Sequence, residues 1–253
     1  MIGLRVLASV IVTEAFKLKR TLALGMAVLA PLVIVILYFM IGMFGGGPVL
    51  RPGADAWAML SRNTVQLWTL LMLPMFITLE TSLLAGLEHT DRNWKFLLSL
   101  PIPKWTVYVA KLIVAIVLVW VAHTVLVAGT MLSGAILRQF KPELKMAALP
   151  IAEIAWPLAK ISVAVLLAVT IQHWVSLRWP SFVTAMGFGM AAMVAGFLAA
   201  NSADYGPWVP WSLTLHTLRP RITLVVNPMI YSAAAAVLVA VAGAWNFARR
   251  EVS

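Results

Sequence analysis

Long apolar runs alternate with short polar connections from one end of this chain to the other. Six runs stand out, at residues 21–43, 64–87, 105–136, 152–176, 181–200 and 224–247. A helix that crosses the roughly 30 Å hydrocarbon core of a bilayer needs about 20 apolar residues, so each run is long enough to cross. The third exceeds that need and predicts a helix that tilts or projects beyond the bilayer. Pro31, Pro74 and Pro157 fall inside runs and predict kinks of the kind that neighbouring helices in a bundle accommodate. No run shows the polar and apolar alternation over about ten residues that a membrane β-barrel strand requires. The expected fold is an all-α integral membrane protein with six transmembrane helices in a single transmembrane domain, 1–253, without internal repeats.

Three further elements are predicted in the polar connections. Over residues 1–20, Leu4, Leu7, Ile11 and Leu18 form one stripe with Arg5, Glu14 and Lys17 off it, the pattern of an amphipathic elbow helix that lies in the membrane surface and turns into the first span. Its charge is scattered and no small-residue cleavage pattern follows, so it does not read as a signal peptide. In 88–100, Thr90 is placed to cap a helix over residues 91–100 that Pro101 and Pro103 terminate. Trp94, Leu97 and Leu98 share one face of that helix, with Arg92, Asn93 and Lys95 elsewhere. Too short to span, it reads either as an interfacial connector or as a docking element that offers a partner an apolar knob framed by charge. Within 201–221, Trp208, Trp211, Leu215 and Leu218 repeat at helical spacing, predicting an external interfacial element that serves as an aromatic anchor or as a gate.

Composition narrows the function classes. Hydrophobic residues make up 62% and charged residues 11%, against about 25% charged in a soluble domain, and the mean hydropathy is +0.95. The net charge of +10 sits mostly between the runs, where Lys and Arg orient spans and meet anionic lipid, so membrane lipids rather than nucleic acid are the expected contact. With the N-terminus inside, ten Lys and Arg flank the spans on the cytoplasmic side and seven, Arg62 among them, on the other. That bias predicts cytoplasmic termini and a cytoplasmic 88–100 segment. The absence of cysteine excludes disulfides and thiolate chemistry. No glycine is followed by lysine anywhere, so the chain has no phosphate-cradling loop of the P-loop kind.

The stretch "EHTDRNWKFLLSLPIPKWTVYVAK" resembles the segment after the second span in membrane subunits of type 2 ABC exporters, particularly bacitracin and lantibiotic self-protection permeases. The match rests on Glu88, Trp94, Lys95, Ser99, Leu100, Pro101, Tyr108 and Lys111. The resemblance implies that 88–100 is a coupling helix, with Glu88, Asp91, Arg92, Trp94, Lys95, Leu97 and Leu98 facing a separate cytoplasmic ABC ATPase. It further implies a second permease copy or paralogue, no cofactor in this chain, ATP and Mg in the partner ATPase, and export of an amphipathic cargo such as an antimicrobial peptide or lipid-like compound. In that picture the chain is a transport subunit and not an enzyme, and antibiotic resistance is its expected setting.

Ionisable groups inside spans are costly and need partners, water or an interface. Glu80 and Lys111 are each expected about 10 Å deep at 1.5 Å per residue, where they can pair between antiparallel spans two and three. An ion pair locking the spans is preferred to a substrate or proton site. Lys160 shares a helical face with Glu153, and both can snorkel outward. His123 has no second metal ligand at helical spacing. No convergent catalytic set is proposed. Two rivals remain at this level, an ion-coupled secondary transporter that depends on Glu80 or Lys160, and a non-transporting membrane scaffold or sensor.

Overall fold

The computed structural model describes residues 2–19, 21–45, 56–90, 101–144, 146, 151–202, 204–218 and 226–249. Among them the chain is all-helical. The order is α1 (Ile2–Leu18), α2 (Leu22–Phe44), α3 (Ala56–Leu67), a π turn (Trp68–Met72), α4 (Leu73–Thr90), α5 (Lys104–Phe140), α6 (Ile151–Ala164), α7 (Leu166–Arg178), α8 (Phe182–Ala199), α9 (Leu213–Leu218) and α10 (Pro228–Ala248). Among the described residues five continuous helices are long and apolar enough to cross a membrane, and there are six candidates if the bent pair α6 and α7 counts as one span. These correspond to the six runs expected from the sequence.

The breaks have identifiable causes. Pro74 has no amide proton to donate, and just before it the chain widens into the π turn, closed by the Leu73 amide donating to the Trp68 carbonyl. The expected kink at Pro157 lies elsewhere. The 48° bend falls between Ala164 and Leu166, where the Leu167 amide donates to Ser232 Oγ of α10 at 3.1 Å. A side chain that takes an amide out of the helical ladder bends the helix there. Helix α5 is 37 residues long, about 55 Å at 1.5 Å per residue, so it projects beyond a bilayer as its run predicted. Asn227 caps α10, its side chain accepting from the Met229 amide with Pro228 in the first turn.

Helix α5 is the axis of the bundle, packed by α1 and α2 on one side and by α4, α7 and α10 on others. Its buried stripe includes Tyr108, Lys111, Ala115, Leu118, Ala122 and Leu126. Helix α8 leans on α4, where Gly189 faces Thr78 so closely that a Cβ could not fit. Gly243 of α10 makes the same kind of room for the Tyr108 ring. Large apolar side chains on the outside, including Leu29, Val183, Leu198, Leu238 and Trp245, are exposed as lipid-facing residues should be.

Two boundaries differ from the sequence reading. The helix of the second span continues to Thr90, so Glu88 belongs to its last turn rather than to a separate segment. The remainder of the expected coupling helix, with Asp91, Arg92, Trp94, Lys95, Leu97 and Leu98, lies outside the described residues. In the 201–221 element the single helical face also fails. Pro207 and Pro210 open two short 3-10 turns, Gly206–Trp208 and Pro210–Ser212, before α9 begins. A 3.6-residue period therefore does not run through, and Trp208 stays 52% exposed while Trp211 and Leu215 turn into the bundle at 7% each.

Candidate functional site

Four charged side chains meet where α1, the end of α4 and the start of α5 converge. On α1, Glu14 and Lys17 are three residues apart and so share a face. Lys17 Nζ lies 2.7 Å from Glu14 Oε1 and 2.8 Å from Glu88 Oε1. Lys111 Nζ lies 2.6 Å from Glu14 Oε2 and 2.8 Å from Glu88 Oε2. Each carboxylate thus spans both ammonium groups, and each ammonium spans both carboxylates. The result is a closed, electrically neutral ring.

Burial makes the ring consequential. The Glu14, Glu88 and Lys111 side chains are 4%, 3% and 1% exposed, and only Lys17 reaches solvent, at 33%. Taking ions out of water is expensive, and the mutual attraction offsets that cost only when geometry and hydrogen bonding are complete. Three of the four carboxylate oxygens accept short charge-assisted hydrogen bonds, and the fourth, Glu88 Oε2, is held in ion contact with Lys111 without a hydrogen bond. Lys111 Nζ also donates to the Leu84 carbonyl at 3.4 Å. Burial by itself would raise the Glu14 pKa, but the Lys111 charge and the hydrogen bonds from Lys111 and Lys17 hold it below the ordinary carboxylate range. Lys17 is shifted the opposite way: burial would lower it, but its bonds to Glu14 and Glu88 raise it above the usual lysine value.

The expected pairing of Glu80 with Lys111 is not formed. Depth counted from the ends of apolar runs misplaced the helix boundaries: α4 extends to Thr90, so Lys111 in the second turn of α5 stands level with Glu88. Glu80 lies eight residues earlier on α4, about 12 Å along the axis. Its side chain is 1% exposed, and neither oxygen has a hydrogen-bond partner among the described residues. The sequence reading also put Glu14 off the apolar stripe of a surface-lying α1. In the structure Glu14 occupies the centre of the buried face while Leu4, Val12 and Phe16 point outward. On the same helix Leu18 is buried in the core and Leu7, Val10 and Ile11 are half-buried, while Arg5 and Lys19 are exposed.

Other candidates occupy separate places. Lys160 is half-buried with Nζ 5.6 Å from the centroid of the Trp156 ring, a cation–π contact within its own helix. It forms no ion pair with Glu153 among the described residues. His123 shares a 2.6 Å hydrogen bond with Ser162 Oγ of α6, which accounts for an imidazole inside an apolar helix. Trp211 packs edge-on against Phe188 of α8, with ring centroids 5.9 Å apart, while Trp208 meets Tyr231 of α10. Trp208 and Trp211 of the expected external element therefore meet different neighbours.

A seam of hydroxyls joining α4 to α7 was not foreseen. Ser176 Oγ donates to Thr81 Oγ1 at 3.2 Å and lies 3.5 Å from Ser82 Oγ, while His89 Nε2 lies 3.3 Å from the Ser176 carbonyl. Small hydroxyl residues glue transmembrane helices by close approach. The consecutive Thr81 and Ser82, with Ser176 near the end of the fourth run, were the available signal.

The ring gathers an N-terminal helix and the junction of two spans in a polytopic all-helical chain, and comparison with known families accords with that architecture. Residues 10–197 match the family model described as ABC-2 family transporter protein. The chain belongs to this ABC-2 family. It is thus a multi-pass membrane permease of the ABC transporter type, and its family works with ABC ATPases in general. Neither the curated proteins nor the solved structures give a match. The matched range of this ABC-2 permease includes Glu14, Lys17, Glu88 and Lys111, and ends before the 3-10 turns and α9.

Proposed function

We propose that the chain is the membrane-spanning subunit of an ATP-driven exporter, working with two cytoplasmic ATPase subunits and a second permease copy or paralogue. The observation that carries this reading is the closed ring of Glu14, Lys17, Glu88 and Lys111. It ties three helices together at the point where the chain enters residues 91–100, the segment whose Trp94, Leu97 and Leu98 suit a docking face. A partner that moves that segment pulls on Glu88, and the ring passes the displacement to α1 and α5 together. ATP does work here through its different affinities for the two states of the assembly.

In this reading α1 is the elbow helix, 88–100 the coupling helix, both termini face the cytoplasm, as the Lys and Arg bias supports, and the membrane is a bacterial inner membrane by resemblance to self-protection permeases. The cargo is amphipathic, a peptide antibiotic or a lipid-like compound, by resemblance to self-protection permeases. Membership in an ABC transporter family favours ATP over ion coupling and transport over a scaffold role.

The experiment is co-purification of the tagged chain with an ABC ATPase encoded beside it. The wild type is compared with a Trp94→Ala, Leu97→Asp double variant at equal membrane insertion. Loss of ATPase from the variant alone supports the coupling role. A wild-type chain that retains no ATPase overturns it.

A further inference from the structure

A cavity of about 410 Å³ lies between α3, α6, α8 and α9, at the end of the bundle remote from the charge ring. Its wall is divided in chemistry. Val65, Phe197 and Leu215 give it apolar surface, while Arg62 and Glu153 bring one cation and one anion to the same space. Both are exposed, and they form no ion pair with one another or with any other described residue. Ser61, also on the wall, is 3% exposed and its Oγ has no hydrogen-bond partner among the described residues. A buried hydroxyl left unpaired is unfavourable, and one that lines a cavity marks where a ligand's polar atom belongs.

We propose that this cavity binds the head group and glycerol region of a zwitterionic phospholipid of the phosphoethanolamine class. The Arg62 guanidinium is suited to bidentate contact with a phosphate, and the Glu153 carboxylate accepts from the primary ammonium. Ser61 Oγ donates to a phosphate or ester oxygen. The upper acyl chains lie along Val65 and Leu215 and leave for the bilayer past Phe197, which is 48% exposed. Head-group chemistry discriminates: an anionic lipid leaves Glu153 facing like charge, and a choline lipid cannot donate a hydrogen bond to it. The volume falls in the range of small-ligand sites and suits a head group with its glycerol rather than a peptide several times larger. Whether the lipid is cargo or a permanent component of the fold depends on the exporter reading above; its binding does not.

The test uses the full-length chain in detergent, without ATPase or nucleotide. Phosphatidylethanolamine, phosphatidylglycerol and phosphatidylcholine of equal chain length are titrated and bound lipid is counted by native mass spectrometry. Phosphatidylethanolamine is expected to bind about tenfold more tightly than the other two, the scale of one charge-assisted contact. Arg62→Gln should weaken all three lipids alike, and Glu153→Gln should abolish only the preference. Because both side chains are exposed, melting temperatures in lipid-free detergent should not change, which separates lost binding from lost folding. Equal binding of the three lipids to the wild type, or a preference that survives both substitutions, overturns the proposal. A cationic amphipathic peptide that binds and resists displacement by phosphatidylethanolamine overturns it in favour of a peptide site. Since no ATPase is present, failure here leaves the coupling reading standing, and failed co-purification leaves this site standing.

Discussion

Lys111 Nζ and Glu14 Oε2 lie 2.6 Å apart although 97 residues of chain separate them. One sits in the second turn of the longest helix and the other on the N-terminal helix, both shielded from solvent. The contact joins an element outside the spans to the axis of the bundle. It therefore sets the position of α1 as much as any apolar packing does.

Breaking the ring from one side should be worse than removing it. Lys111→Met leaves two buried carboxylates with Lys17 alone, and a loss of about 3–5 kcal/mol is expected, the range for removing one partner of a buried pair. A Glu14→Gln, Lys111→Met double variant should lose clearly less than the sum of the single losses, because the residues share one network. Thermal unfolding in detergent reads both effects. Additive losses would show that the four groups do not act as a unit.

The ring also sets a pH window. Glu14 has its pKa depressed in the fold, so its contribution is present above its unfolded value of 4.5 and is lost as pH falls below that through the folded value. Lys17 has its pKa raised, so its contribution is full below 10.5 and is lost as pH rises beyond that through the folded value. The melting temperature should thus hold a plateau between these limits and fall in acid. With Glu14→Gln the acid limb should become shallower. An unchanged acid limb in that variant would assign acid sensitivity to other carboxylates.

Glu80 invites the opposite experiment. Its carboxylate is buried without a hydrogen-bond partner among the described residues, and a charge in that position is a cost to folding. Glu80→Gln should leave stability unchanged or raise it. A loss greater than about 1 kcal/mol, the scale of one hydrogen bond, would reveal a partner for the carboxylate. Unchanged stability with abolished transport would instead make Glu80 a functional residue.

The contact between α8 and the turn at Pro210–Ser212 depends on Gly196. A Cβ there would stand 2.5 Å from Trp211 Cβ and 2.9 Å from the Trp211 carbonyl carbon. Backbone atoms cannot rotate away, so Gly196→Ala should cost about 1–3 kcal/mol, as overpacking does. Gly187→Ala, which meets nothing within 4 Å on the same helix, is the control and should be neutral. Similar losses in both variants would trace the effect to the helix itself.

The apolar runs were enough to mark the five to six candidate spans, because the bilayer requires length and hydropathy of each span separately, without reference to any other. Local chemistry also marked the Pro74 interruption. The resemblance carried by Glu88, Tyr108 and Lys111 pointed to the junction of the second and third spans, and both Glu88 and Lys111 proved to be ring members. What the chain could not disclose was partnership. Periodicity on α1 placed Glu14 off the apolar stripe of a surface-lying helix and could not show that the carboxylate is buried against Lys111 of α5. Depth along a helix shows how far a charge lies from the surface but not which neighbour stands beside it, so Glu80 was offered to Lys111 in place of Glu14 and Glu88. Likewise Ser61 and Arg62 of α3 meet Glu153 of α6 at one cavity only after the two helices pack. Hydropathy acts on each segment alone; ion pairs and cavities arise from helix packing, and only the tertiary structure decides them.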